Sequence, residues 1–218
     1  MDMPLESLLK NKDYLYIARL QDDVVSRLYD INTKLTFHGG TSIWRCYGGK
    51  RFSFDLDMYV KNASEIPKLI ENLVEYGFNV KNSKLRGGAR SIYYYLVSDE
   101  KTSITLEFAQ KKVMDRVIAT YIKTDGSGMD IFSLSPENLI KEKVAAYLSR
   151  RAIKDLYDIF VLAHISDLNK TKYYISKLIS SMKYPSDEKT LYQFIYDGPI
   201  PLIFCSLIFL LIDIMFLP

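Results

Sequence analysis

Cysteine is nearly absent. The chain has two, Cys46 and Cys205, too far apart for a metal-ligand pair and too few for a disulfide framework, so a reducing compartment is expected. A strong charge of one sign is missing as well. The formal net charge of +3 permits a polyanionic partner without arguing for one. There is no internal repeat and no low-complexity segment. The opening MDMPLESLLKNKD carries charges and no apolar core, so no signal peptide is expected and the protein is assigned to the cytoplasm. What is present is ordinary for a chain that buries a core: 48% hydrophobic and 25% charged residues over 218 positions, enough for one large domain or two small ones.

Along the chain, residues 13–30 (DYLYIARLQDDVVSRLYD) place Leu15, Ile17, Leu20, Val24, Val25 and Leu28 at helical spacing. Residues 34–38 predict a short strand running into Gly39-Gly40, and Thr41 to Tyr47 a helix with Thr41 or Ser42 as N-cap, ended by Gly48-Gly49. Residues 52–60 alternate as a strand, with Phe54, Leu56, Met58 and Val60 on one face and Ser53, Asp55, Asp57 and Tyr59 on the other. A helix is expected at 64–76. Antiparallel strands follow at 91–97 and 102–110, the second with Ile104, Leu106 and Phe108 on one face and Thr105 and Glu107 on the other. This order implies a mixed β-sheet flanked by helices.

The Gly-Ser-Gly stretch within 123–134 reads as a boundary. Beyond it, Ser135 is the expected N-cap and Pro136 the first position of a long helical run, with further helix at 171–183 and 187–196. The class is α+β: a mixed-sheet lobe at 1–128, a helical lobe at 129–198 and an atypical tail at 199–218. The tail, ending PIPLIFCSLIFLLIDIMFLP, is broken only by Ser206 and Asp213. An altered reading frame is favoured for it over membrane contact or burial.

The chemistry is concentrated in FHGGTSIWRCYGGKRFSFDLDMYV, residues 37–60. Two aspartates at i and i+2 of a strand project from one face with Cβ atoms roughly 7 Å apart. Their repulsion is relieved by a cation between them, and a hard, oxygen-seeking Mg²⁺ (or Mn²⁺) suits. If the strand of Glu107 neighbours that of Asp57, Glu107 supplies a third carboxylate, or the base for an attacking hydroxyl. Gly39 and Gly40 allow a phosphate close to the backbone at a helix N-terminus, and Thr41 or Ser42 adds a hydroxyl. Triphosphate on the turn and metal on the aspartates make a nucleotidyl-transfer site. An isolated D-x-D or G-G-T is weak; the two in this order, with strand, helix and strand between them, are far more specific.

The stretch resembles the AbiEii/AbiGii-type toxins of the DNA polymerase β-like nucleotidyltransferase superfamily. Their first motif, a hydrophobic residue, G-G-T, a helix and R-x-S-x-D-hydrophobic-D, is met by Gly39, Gly40, Thr41, Arg51, Ser53, Asp55, Leu56 and Asp57. Their second, a helical lysine, a basic stretch and [RK]-D-hydrophobic-x-D, is met by Lys143, Arg150, Arg151, Lys154, Asp155, Leu156, Tyr157 and Asp158. The resemblance implies two lobes and transfer of a nucleotide from an NTP to an acceptor, with the 3′ end of tRNA favoured, and a cognate antitoxin as partner. It implies metal on Asp55, Asp57 and Glu107, and nucleotide on Gly39, Gly40, Thr41, Arg51, Ser53 and Lys143. Asp155 or Asp158 would orient that lysine. Arg45, Lys50, Arg51, Arg86 and Arg90 are candidate RNA phosphate contacts, although such clusters are more often solvated surface. His38 reads as structural, Trp44 as core and Tyr93, Tyr94 and Tyr95 as strand packing. The rivals are nucleotide binding without turnover, transfer to a protein hydroxyl, and a membrane role for the tail.

Overall fold

The computed structural model describes residues 3–86, 91–113, 115–198, 209 and 212. They divide into two compact units, one of residues up to 46 together with 52–134, the other of 47–51 together with 135 onward.

The first unit is a seven-stranded mixed sheet flanked by helices. A short helix α1 (Leu5–Leu8) precedes α2 (Lys12–Ile31), whose first turn is capped by the Asn11 side chain accepting from the Asp13 amide at 2.9 Å. Then come β1 (Thr36–His38), α3 (Gly39–Cys46), β2 (Leu56–Val60), a 3-10 turn at Ala63–Glu65 leading into α4 (Ile66–Glu75), and β3 (Asn79–Arg86). Strands β4 (Ile92–Ser98), β5 (Ser103–Gln110), β6 (Arg116–Ile122) and β7 (Gly128–Leu134) complete the sheet, in the order β3-β4-β5-β2-β1-β7-β6. β2 runs parallel to β5 and β1 parallel to β7; the other neighbours are antiparallel. The core gathers Leu20, Val24, Val25 and Leu28 of α2 with Leu56, Met58, Leu106 and Phe108 of the two central parallel strands. Each such side chain contributes about 1.5–3 kcal/mol on burial. That apolar face leaves the alternate residues of β2 and β5, Asp57 and Glu107, on the opposite one.

A buried carboxylate ties α2 to α3 and to the β6–β7 hairpin. Asp22 accepts from the Arg45 guanidinium, from Tyr121 Oη at 3.0 Å, and from the amide and hydroxyl of Thr124, both at 2.8 Å. Arg45, a candidate RNA contact by sequence, is 2% exposed and is a structural residue here. Trp44 is core, as expected.

The stretch read as a boundary holds a hairpin turn and the strand β7, and the break between the units falls at its end, after Leu134. The Lys123 amide donates to the Ser127 carbonyl at 2.8 Å, Gly126 takes a positive φ of 87° in the turn, and β7 pairs with β1 through Phe37 and Ser133. The first unit therefore runs to Leu134, past the expected limit at residue 128.

The second unit is helical: α5 (Pro136–Arg150), α6 (Ile153–Ala163), α7 (Leu168–Ser181) and a 3-10 segment at Glu188–Gln193. Ser135 caps α5 with Pro136 at its first position, as expected. The long helical run is broken at Arg151, which adopts a left-handed φ of 53° and closes α5 by donating its amide to the Tyr147 carbonyl at 2.7 Å. Asp187 then accepts from the Ile153 amide at 2.7 Å, satisfying the first turn of α6. Residues 47–51 belong to this unit as a strap. Arg51 bridges Ile195, the Tyr196 amide donates to the Lys50 carbonyl at 3.2 Å, and the Lys50 ammonium lies 3.2 Å from Asp197. Among the described residues no helix is long and apolar enough to cross a membrane. The readings of the 199–218 tail lie outside the described residues.

Candidate active site

Four side chains line up across the sheet. Register pairs Tyr94 of β4 with Glu107 of β5, Glu107 with Asp57 of β2, and Asp57 with His38 of β1. The condition set by the sequence is met: the strands of Asp57 and Glu107 are neighbours. Both carboxylates are half-buried, and Asp55 is exposed just before β2 begins. The strand is shorter than its alternation predicts, since residues 52–55 approach it as an extended arm. Gln21 Nε2 donates to the Ser53 and Phe54 carbonyls at 2.9 and 3.0 Å, Thr41 Oγ1 donates to the Asp55 carbonyl at 2.5 Å, and Phe52 stacks on Tyr14 with ring centroids 4.2 Å apart. Side chains from two helices thus fix where Asp55 emerges.

α3 starts directly at Gly39, so Thr41 and Ser42 lie inside its first turn and neither is the N-cap. Both are fully buried, and their hydroxyls are used within the protein, Thr41 on Asp55 and Ser42 with Ser133 Oγ at 2.8 Å. What the helix start offers a ligand is therefore backbone amide groups. Gly39 has a φ of 78°, and a Cβ there would fall on the Asp57 carboxylate. Only glycine lets the helix begin this close to that aspartate.

Burial pushes the Glu107 carboxyl above its ordinary range, and the Asp57 charge adds to this. His38 and a hydrogen bond from Tyr94 oppose the shift without cancelling it. Two acids forced together suit a divalent cation. Among the described residues no three His, Cys, Asp or Glu side chains converge into a ready metal cage. The set instead fits an ion held by one or two carboxylates and completed by substrate phosphate oxygens, the usual habit of Mg²⁺. His38 is buried and stacks flat on Tyr59, with centroids 3.7 Å apart, as a structural residue would. Sequence reasoning missed Gln21 and the Glu107 contact of Tyr94. The parity of Tyr94 within SIYYYLV, opposite to that of Tyr93 and Tyr95, was the available signal for the second.

The second motif forms a separate cluster in the helical unit. Lys143 of α5, 7% exposed, places Nζ 2.7 Å from Asp158 and 3.5 Å from Asp155. Asp158 also receives Arg51 through Nε at 3.0 Å and Nη2 at 2.9 Å, while Asp155 receives both Nε and Nη2 of Arg150 at 2.7 Å. Asp158 makes the shorter of the two contacts to the lysine. Burial alone would raise its carboxyl, but Arg51 and Lys143 outweigh that and hold it below the usual carboxylate range. Arg51, expected on the nucleotide, has its guanidinium engaged by Asp158. Lys50 pairs with Asp197, and the side chains of Arg86 and Arg90 lie outside the described residues.

The sequence profile of the AbiEii nucleotidyl transferase toxin, a Type IV toxin–antitoxin system component, matches residues 26–192. This chain belongs to the AbiEii family. It is accordingly a nucleotidyltransferase and the toxin of a toxin–antitoxin pair. Solved structures share the AbiEii fold. MenT4, a nucleotidyltransferase toxin from Mycobacterium tuberculosis, is 20% identical with a TM-score of 0.58, over 89% of this chain and 70% of its own. JHP933 from Helicobacter pylori is 18% identical with a TM-score of 0.56, over 94% of this chain and 93% of its own. A further nucleotidyltransferase structure from H. pylori is 16% identical with a TM-score of 0.58, over 91% and 94%. No curated protein matches the sequence.

Proposed function

We propose that this AbiEii toxin transfers a nucleotide from an NTP to the 3′ end of RNA, with tRNA as the acceptor and Mg²⁺ as the metal. The observation that carries the reading is the pairing of Asp57 with Glu107 across two parallel strands, next to a helix that must begin with glycine. The backbone amides of Gly39 and Gly40 receive phosphate oxygens. Asp55 and Asp57 hold the cation, which when bound offsets the charge of the entering and leaving oxygens. Glu107, with its raised proton affinity, takes the proton of the attacking hydroxyl. The Ser53 backbone sets the Asp55 arm. Lys143, aimed by Asp158, is assigned to triphosphate charge.

The test incubates the full chain with Mg²⁺, each α-labelled NTP in turn and total RNA, beside the Asp55→Ala protein. Label in a tRNA-sized band that needs Asp55 is the expected result. Transfer retained in full by Asp55→Ala would refute the site, and labelled RNA of another size would refute the tRNA acceptor.

A further inference from the structure

The acceptor in a nucleotidyl transfer must place its hydroxyl on the carboxylate that takes its proton. In this protein a hydroxyl already stands there. Tyr94 lies directly opposite Glu107 in the β4–β5 ladder, and its phenol donates a hydrogen bond to that carboxylate. Its neighbours behave otherwise. Tyr93 and Tyr95 turn to the other face of the sheet and pack against the core, Tyr95 edge-on to Phe108. All three tyrosines are half-buried, but only Tyr93 and Tyr95 pack against the core cluster, so core packing does not account for Tyr94.

We propose that Tyr94 is itself an acceptor, and that the enzyme nucleotidylates this tyrosine of its own chain. The inference rests on reading the Asp57–Glu107 site as an NTP-dependent transfer centre, and is independent of RNA being the other acceptor. The Tyr94 oxygen forms a bond to the α-phosphorus of the NTP. The bond from that phosphorus to the oxygen bridging toward the β-phosphate breaks, pyrophosphate leaves, and the phenol proton passes to Glu107. No oxidant or further reactant is needed, and the product is a tyrosine O-nucleoside monophosphate.

Geometry favours the step. Tyr94, Glu107 and Asp57 stand on successive strands about 4.8 Å apart, so the phenol sits one strand beyond the carboxylates that would hold the substrate. A nucleophile fixed in the same chain needs no second encounter, which is the advantage of any well-placed intramolecular reaction. The modification would also limit the toxin, because a nucleotide on Tyr94 fills the place an RNA hydroxyl must take beside Glu107.

The experiment gives the full-length protein Mg²⁺ and each α-labelled NTP without RNA, with a parallel incubation containing total RNA. The labelled protein is cut with trypsin and the peptide of residues 91–101 is sequenced by fragmentation mass spectrometry. The expected result is a single nucleoside monophosphate on Tyr94, with label reduced to the Asp57→Asn background in Tyr94→Phe. Localisation on the wild-type chain holds whether or not that variant folds. Label on RNA but none on protein would overturn the proposal and leave the transfer reading standing, as would protein label on any residue other than Tyr94. Label on Tyr94 with none on RNA would uphold the proposal and remove RNA as acceptor. No label on either, with any NTP, would overturn both.

Discussion

The two acidic motifs look alike on paper and differ in their surroundings. Asp155 and Asp158 are both fully buried, and three cations, Arg51, Lys143 and Arg150, close on them. The largest charge acting on the half-buried Glu107 is another carboxylate, Asp57. The first group has found its counter-ions within the chain. The second sets one half-buried carboxylate against another, with His38 as the opposing positive influence on Glu107. Paired aspartates are therefore informative about function only once their cations are located.

The largest effect should come from emptying the second group. Asp57→Asn is expected to reduce transfer about 10³-fold or more, from the loss of several kcal/mol of charge stabilisation, with an unchanged circular dichroism spectrum. Asp158→Ala does the reverse kind of damage. It leaves Arg51 and Lys143 buried without their carboxylate and should cost about 3–5 kcal/mol, read as a fall of roughly 10 °C in melting temperature. The folded carboxyl of Asp158 is held down, so its contribution is present above the unfolded value near 3.9 and is lost as pH falls below it. The stability gap between wild type and Asp158→Asn should accordingly narrow below about pH 4. Mg²⁺ at a hundred times its dissociation constant should stabilise the wild type by about 2.7 kcal/mol and leave the melting temperature of Asp57→Asn unmoved. Gly39→Ala should cost about 1–2 kcal/mol for its left-handed φ and displace Asp57, which a urea titration and a transfer assay read separately. The smallest effect is in Glu107→Gln without metal. Removing a charge that the fold disfavours should raise the melting temperature slightly, even as transfer is lost.

Much of this was legible in the residues. The stripe of α2, the cap and proline of α5, and the in-out alternation of Asp57 and of Glu107 within their own strands follow from local rules, and the motif from Gly39 to Asp57 carries the family resemblance; that the two strands are neighbours is a long-range fact only the fold supplies. What escaped depended on distant partners. Arg45 and Arg51 look like phosphate contacts until Asp22 and Asp158, 23 and 107 residues away, are seen to hold them. The strands β3, β6 and β7 were missed. NVKNSKLR is too polar to show alternation, and the glycines between β6 and β7 read as a boundary although they form a hairpin turn whose second strand pairs with β1. The α3 helix begins at Gly39, two residues before Thr41, because a glycine with positive φ opens it rather than a hydroxyl cap.

The strap of residues 47–51 leaves the sheet unit after α3, is fastened among the helices, and returns as the arm that carries Asp55. A gene for such a chain has no single crossover point that exchanges the helical portion whole. Recombination after codon 134 would deliver helices from one parent and the strap from the other, so that Arg51 and Asp158 come from different parents. Diversification of this protein by domain shuffling is thus restricted, and the two motifs are bound to be inherited together.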